Sequence, residues 1–179
     1  MTTSPADLLT EGYRARHEHR PVDAERNFAQ AAELSRASGD QKALARSLAG
    51  LGQIKRDQDE MFEARRHYED AVSACRKADD PQLLAHTVRH LADTLRKLGN
   101  PLPAEAAYEE ALSIYRSHDL TRPLDLANTL RGFALLKSDP AQVAAARKLW
   151  QEAKELYATI GVDAGVAESD RQLALLASM

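Results

Sequence analysis

AERNFAQA (Ala24–Ala31), ARRHYEDA (Ala64–Ala71), AEAAYEEA (Ala104–Ala111) and AARKLWQEA (Ala145–Ala153) are four versions of one phrase. Each is built around a large aromatic residue, and these (Phe28, Tyr68, Tyr108, Trp150) follow one another at spacings of 40, 40 and 42. Four residues before each ring stands an alanine (Ala24, Ala64, Ala104, Ala146), and three residues after it another (Ala31, Ala71, Ala111, Ala153). Positions i−4 and i+3 from a ring fall on one face of a helix. Small residues on that face let a neighbouring helix come close while the ring fills the remaining gap. The phrase therefore predicts a repeated helix with a packed face.

A second phrase alternates with the first. LARSLAGLG (Leu44–Gly52), LAHTVRHLA (Leu84–Ala92) and LANTLRGFA (Leu126–Ala134) align without gaps, and VAESDRQLA (Val166–Ala174) is a weaker fourth copy. Leu48, Leu51 and Gly52, with their counterparts Val88, Leu91, Ala92 and Leu130, Phe133, Ala134, make one apolar stripe. LLTEGYRAR (Leu8–Arg16) is a degenerate first copy through Leu8 and Gly12. Each repeat is thus a pair of helices with complementary stripes. The punctuation agrees. Pro5, Pro21, Pro81, Pro103, Pro123 and Pro140 stand where helices should begin, a position that tolerates proline. Ser4, Asp80 and Asp139 directly precede prolines and suit N-caps, while Gly39, Gly99 and Gly161 fall where helices should end. No segment alternates in the manner of a strand. The expectation is one all-α domain over 1–179: four hairpins over about 5–39, 40–79, 80–120 and 121–161, and a ninth, capping helix over 163–178.

The bulk numbers narrow the function. A formal net charge of −3 argues against a chain-wide grip on nucleic acid or anionic lipid. The single cysteine, Cys75, rules out an internal disulfide or a multi-cysteine metal site, and its place in the repeat predicts burial. MTTSPADLL at the start lacks the basic stretch and apolar core of a secretory signal, and no apolar run approaches the roughly 18 residues of a membrane span. The expectation is a cytoplasmic protein with no membrane or nucleic-acid partner.

With the two phrases aligned, the chain resembles the tetratricopeptide repeat family, whose signature combines a large residue, Leu-Gly and Ala-x3-aromatic. The second repeat offers Leu48, Leu51-Gly52 and Ala64-x3-Tyr68; the third Val88, Leu91-Ala92 and Ala104-x3-Tyr108; the fourth Leu130, Phe133-Ala134 and Ala146-x3-Trp150. The pitch of 40 to 42 exceeds the family's usual figure of about 34 and is similar to that of kinesin light chain repeats and their bacterial relatives. The resemblance implies a right-handed α-α superhelix, with the first helix of each hairpin lining a concave groove that receives peptides. Where kinesin light chain repeats tend to carry Asn-Asn, this chain has Ala49-Gly50, Arg89-His90 and Arg131-Gly132, and the basic-plus-Asn clamp of chaperone co-factors is missing.

Helical geometry picks out the residues opposite the apolar stripe. They include Tyr13 and Arg16 in the first repeat, Arg46, Gln53 and Arg56 in the second, His86, Arg89, His90, Asp93 and Arg96 in the third, and Asn128 and Arg131 in the fourth. Six arginines then share a surface opposed mainly by Asp93, which predicts an acidic peptide or protein as ligand, since the guanidinium fork suits carboxylates. The i, i+4, i+7 spacing of Arg89, Asp93 and Arg96 also permits simple mutual neutralisation. His86, His90 and Asp93 have a spacing that can hold a metal, yet two histidines on a polar face are more often plain groove residues. Gly50-Leu51-Gly52 lacks the third glycine and the strand of a dinucleotide loop. No catalytic set, metal or cofactor is predicted. A protein-interaction scaffold is the leading expectation, ahead of a sensing module for a small acidic molecule or signalling peptide. A self-associating module comes third: Asp170 suits a cap facing water, while Leu175 and Leu176 in the apolar tail would offer a homodimer surface on the last helix.

Overall fold

The computed structural model describes residues 4–117 and 122–178. Among them the chain is all helix: α1 (Pro5–His17), α2 (Pro21–Ser38), α3 (Gln41–Asp57), α4 (Met61–Ala78), α5 (Pro81–Lys97), α6 (Pro101–Ser117), α7 (Pro123–Leu136), α8 (Val143–Thr159) and α9 (Asp163–Ala177), with one 3-10 turn (Pro140–Gln142) ahead of α8. The expected boundary between third and fourth repeats, at 120/121, lies outside the described residues. No helix among those described is long and apolar enough to cross a membrane.

The predicted caps form. Ser4 accepts the Asp7 amide while Asp7 reaches back to Ser4, a complete capping box. Asp80 caps α5 through the Leu83 amide at 3.0 Å, and Asp139 caps the 3-10 turn. Pro103 is the one proline displaced from a helix start: α6 opens two residues earlier, at Pro101. Gly39, Gly99 and Gly161 take φ of 76°, 72° and 70° at or just past their helix ends.

Packing follows the phrases. Phe28, Tyr68, Tyr108 and Trp150 are all buried, as is every alanine flanking them at i−4 and i+3. Phe28, Tyr68 and Tyr108 each meet a neighbouring odd-numbered helix at a glycine. Built on Gly12 and Gly50, a Cβ would stand 2.6 and 2.7 Å from the Phe28 ring, and on Gly52 it would stand 3.0 Å from Tyr68. A further repeated column is a buried hydroxyl on each odd-numbered helix after the first. Ser47, Thr87, Thr129 and Ser169 each return a hydrogen bond of 2.7–2.8 Å to the carbonyl four residues back. That satisfies the hydroxyl of each of these four residues.

Along the stack α1 packs on α3, α3 on α5 and α5 on α7. The even-numbered helices sit farther apart and are spanned by long ion pairs, Arg76–Glu110 at 2.8 Å and Arg116–Glu152 at 2.7 Å. A stack that closes on one side and opens on the other curves, so the odd-numbered helices form the concave wall. At the far end Asp170 faces water and pairs with Lys154 at 2.6 Å. Leu176 departs from expectation: it is buried with Ala134, Ala146 and Trp150, because the inward face of α9 closes the last hairpin. Of the two tail leucines only Leu175 is exposed.

Candidate functional site

All twelve residues singled out from the sequence stand on α1, α3, α5 and α7, the concave side. Their environments differ more than a helical wheel shows. Arg16 is paired with Asp57 at 2.8 Å, and Arg131 grips Glu168 of α9 with two hydrogen bonds of 2.6 and 2.7 Å. Asn128 accepts the Tyr157 hydroxyl at 2.7 Å, which ties α7 to α8. Tyr13 keeps 43% of its surface exposed and sets its ring edge against Phe28. Gln53 is half-buried, and Arg46 is exposed and makes no ion pair among the described residues. The predicted opposition by Asp93 is therefore joined by two acids that the wheel did not reveal, Asp57 and Glu168.

The third repeat carries the largest correction. Arg89 and His90 are 9% and 6% exposed, because α3, α4 and α6 cover a face the wheel leaves open. Arg56 Nη1 lies 2.8 Å from His90 Nδ1, and Arg89 Nη2 lies 2.8 Å from His90 Nε2. Tyr68 stacks on the imidazole with ring centroids 5.7 Å apart. Asp93 takes the Tyr108 hydroxyl at 2.6 Å on one oxygen and the Arg89 guanidinium at 3.3 Å on the other. Burial first, then the charges of Arg89, His86 and Arg56, holds His90 well below its ordinary pKa of 6.5. It is neutral, and a neutral imidazole accepts one hydrogen bond, not two. One guanidinium consequently points an N–H at an N–H. The Nε atoms of Arg89 and Arg96 are buried and unbonded as well. Three arginines here face one carboxylate. Ala49, Gly50 and Gly132 are buried too; the last two lie beneath Phe28 and Tyr108.

No three His, Cys, Asp or Glu side chains gather as metal ligands among the described residues. His86 lies edge-on to His90 at 4.6 Å between centroids, and burial lowers it to about pKa 4. Cys75 is buried with Sγ 3.5 Å from the Thr87 hydroxyl, and burial raises its thiol pKa, the state of an inert core cysteine.

Sequence reasoning missed a cavity in the groove. About 330 Å3 opens between the N-terminal ends of α3, α5 and α7, with His86, Leu83 and Tyr115 inside. Lys42 with Asp80 and Arg122 with Asp125 form pairs of 2.7 and 2.8 Å at its edge. Arg46 borders it and also borders two smaller depressions against α1. The available signal was positional: each of these charges lies within a few residues of a predicted helix start.

The model of the tetratricopeptide repeat family matches residues 44–117, and the fold of the chain as a whole is of the same helical-repeat kind. Solved structures share the fold across nearly its whole length. A STAND signal-transduction ATPase from Pyrococcus horikoshii with a tetratricopeptide repeat sensor is 14% identical with a TM-score of 0.81, over 96% of this chain and 26% of its own. A kinesin light chain-type protein of nearly identical repeats from Podospora anserina is 14% identical at 0.69, over 99% and 98%. A Rap protein complexed with Competence and Sporulation Factor is 11% identical at 0.61, over 97% and 64%. The chain thus spans less than two thirds of the ATPase and of the Rap protein. No protein of curated function matches it in sequence.

Proposed function

We propose that this protein is a non-catalytic interaction module of the cytoplasm that holds an acidic peptide or protein segment along its concave wall. The observation that carries the reading is charge imbalance. In a chain of net charge −3, five arginines stand at least partly exposed on the wall with a sixth, Arg89, buried behind them, and three acids, Asp57, Asp93 and Glu168, answer them. Arg46 is the most available of the six, exposed and without an ion pair among the described residues. Arg56 and Arg96 add charge and form no ion pair with a carboxylate among the described residues. Guanidinium groups in this state gain from a carboxylate that brings its own acceptors.

The test follows from which arginine is free. Reversing Arg89 would break a buried network and confound folding with binding. Arg46→Glu removes a free charge at an exposed site, so affinity for an acidic peptide should fall by on the order of tenfold with the melting curve unchanged. Equal affinity of the two forms would remove the basic wall from the account.

A sensing role is the second reading, and one observation favours it: the groove contains a cavity of small-molecule size. It also accords with the sensor repeats of the similar ATPase. Self-association through α9 keeps only Leu175 in its support, 59% exposed. A homodimer built on that helix predicts that Leu175→Glu shifts the species seen by light scattering to the monomer mass.

A further inference from the structure

The cavity at the head of α3, α5 and α7 differs from the rest of the concave wall. It is a half-open hollow of about 330 Å3, within the size range of sites for small organic molecules. Its charges are unevenly satisfied. Lys42 is spent on Asp80, whose carboxylate also caps α5, and Arg122 is spent on one oxygen of Asp125. Two features remain. Arg46 offers a full guanidinium fork, and the second oxygen of Asp125, on a side chain 14% exposed, has no partner among the described residues. His86 lies inside as a neutral ring, one nitrogen donating and the other accepting. Among the described residues the cavity therefore presents one unanswered positive charge and one unanswered acceptor, beside an apolar patch from Leu83.

The geometry points to a ligand site in this cavity for a small carboxylate that also bears a hydroxyl or amine donor, the carboxylate seated on Arg46 and the donor turned to Asp125. The carboxylate answers the Arg46 fork with two parallel hydrogen bonds. The donor answers Asp125, which otherwise loses hydration with nothing in exchange when the cavity fills. A phosphate or a carboxylate without a donor meets only half of the arrangement. This site deepens the sensing reading and does not depend on an acidic segment occupying the wall.

Thermal melts and calorimetric titrations with L-malate, L-glutamate, succinate and inorganic phosphate, at matched ionic strength, test it. Malate or glutamate should raise the melting temperature saturably at millimolar concentration. Which of the two does so tells a hydroxyl donor from an amine. Succinate, the frame of malate without the hydroxyl, should bind on the order of tenfold more weakly. Arg46→Ala should abolish the effect, and Asp125→Asn should bring malate down to the level of succinate. Arg16→Ala, on the wall but outside the cavity, should leave the titration unchanged. The proposal is overturned if neither malate nor glutamate gives saturable stabilisation, if phosphate reproduces it, or if Arg46→Ala binds like the unaltered chain. Failure of the acidic-peptide test with success here, or the reverse, separates the two readings, because no partner enters these titrations.

Discussion

Phe28 is held between two glycines, Gly12 from α1 and Gly50 from α3, each with no room for a methyl group. A glycine in mid-helix costs about 1 kcal/mol against alanine, so Gly50→Ala should stabilise the protein if propensity alone decided. It does not decide here. The added Cβ would lie 2.7 Å from a fully buried ring that Gly12 prevents from retreating. Overpacking of this kind costs about 1–3 kcal/mol, so Gly50→Ala should be net destabilising by about 1 kcal/mol in urea melts. His86 and His90 give the second prediction at this scale. Both are neutral when folded, lowered from an unfolded value of 6.5, His86 to about 4. As pH falls below about 6.5 the unfolded chain takes up protons first. Stability is therefore complete at neutral pH and declines between pH 6.5 and 4, and His86→Gln should flatten the slope of melting temperature against pH in that window. The rings and their alanines were readable from the sequence, because a period and two offsets define them. The burial of Arg89 and His90 was not, because their cover comes from Arg56, Tyr68 and Tyr108, which a single-helix projection leaves out.

At the scale of the helix, the chain turns every 20 residues. His19, Gly39, Asp59, Asp79 and Gly99 all take left-handed backbone, and Gly161 does so at the end of α8. The glycines among them were predictable as stop signals. The histidine and the aspartates were not, since nothing in their type demands a positive φ. Their tolerance has a cost, because a side chain in this conformation is disfavoured by about 1 kcal/mol or more. Asp59→Gly should relieve it, offset in part by the entropy glycine brings to the unfolded chain. The expected outcome is a gain of about 0.5 kcal/mol in urea denaturation, with helix content by circular dichroism unchanged. A loss of stability would mean that the Asp59 carboxylate does something its backbone geometry does not reveal.

For the whole molecule, two levels of order coincide. The odd-numbered helices carry both the small residues that draw the stack together and the arginines that, Arg89 apart, reach its concave surface. Curvature and charge therefore lie on one side, and the even-numbered side is held by ion pairs across wider gaps. The fold was readable in outline because repeats state the same pattern several times over. The site was readable only as a face. Which arginine is free depends on acids from other helices, Asp57 and Glu168, and the cavity depends on three helix ends meeting. Selection from a random peptide library tests the central claim most directly, with the unaltered protein and Arg46→Glu run in parallel and melting curves as a check on folding. The unaltered protein should enrich peptides rich in Asp and Glu, and Arg46→Glu should lose the enrichment while melting at the same temperature. Enrichment of neutral or basic peptides, or equal acidic enrichment by both forms, would contradict it.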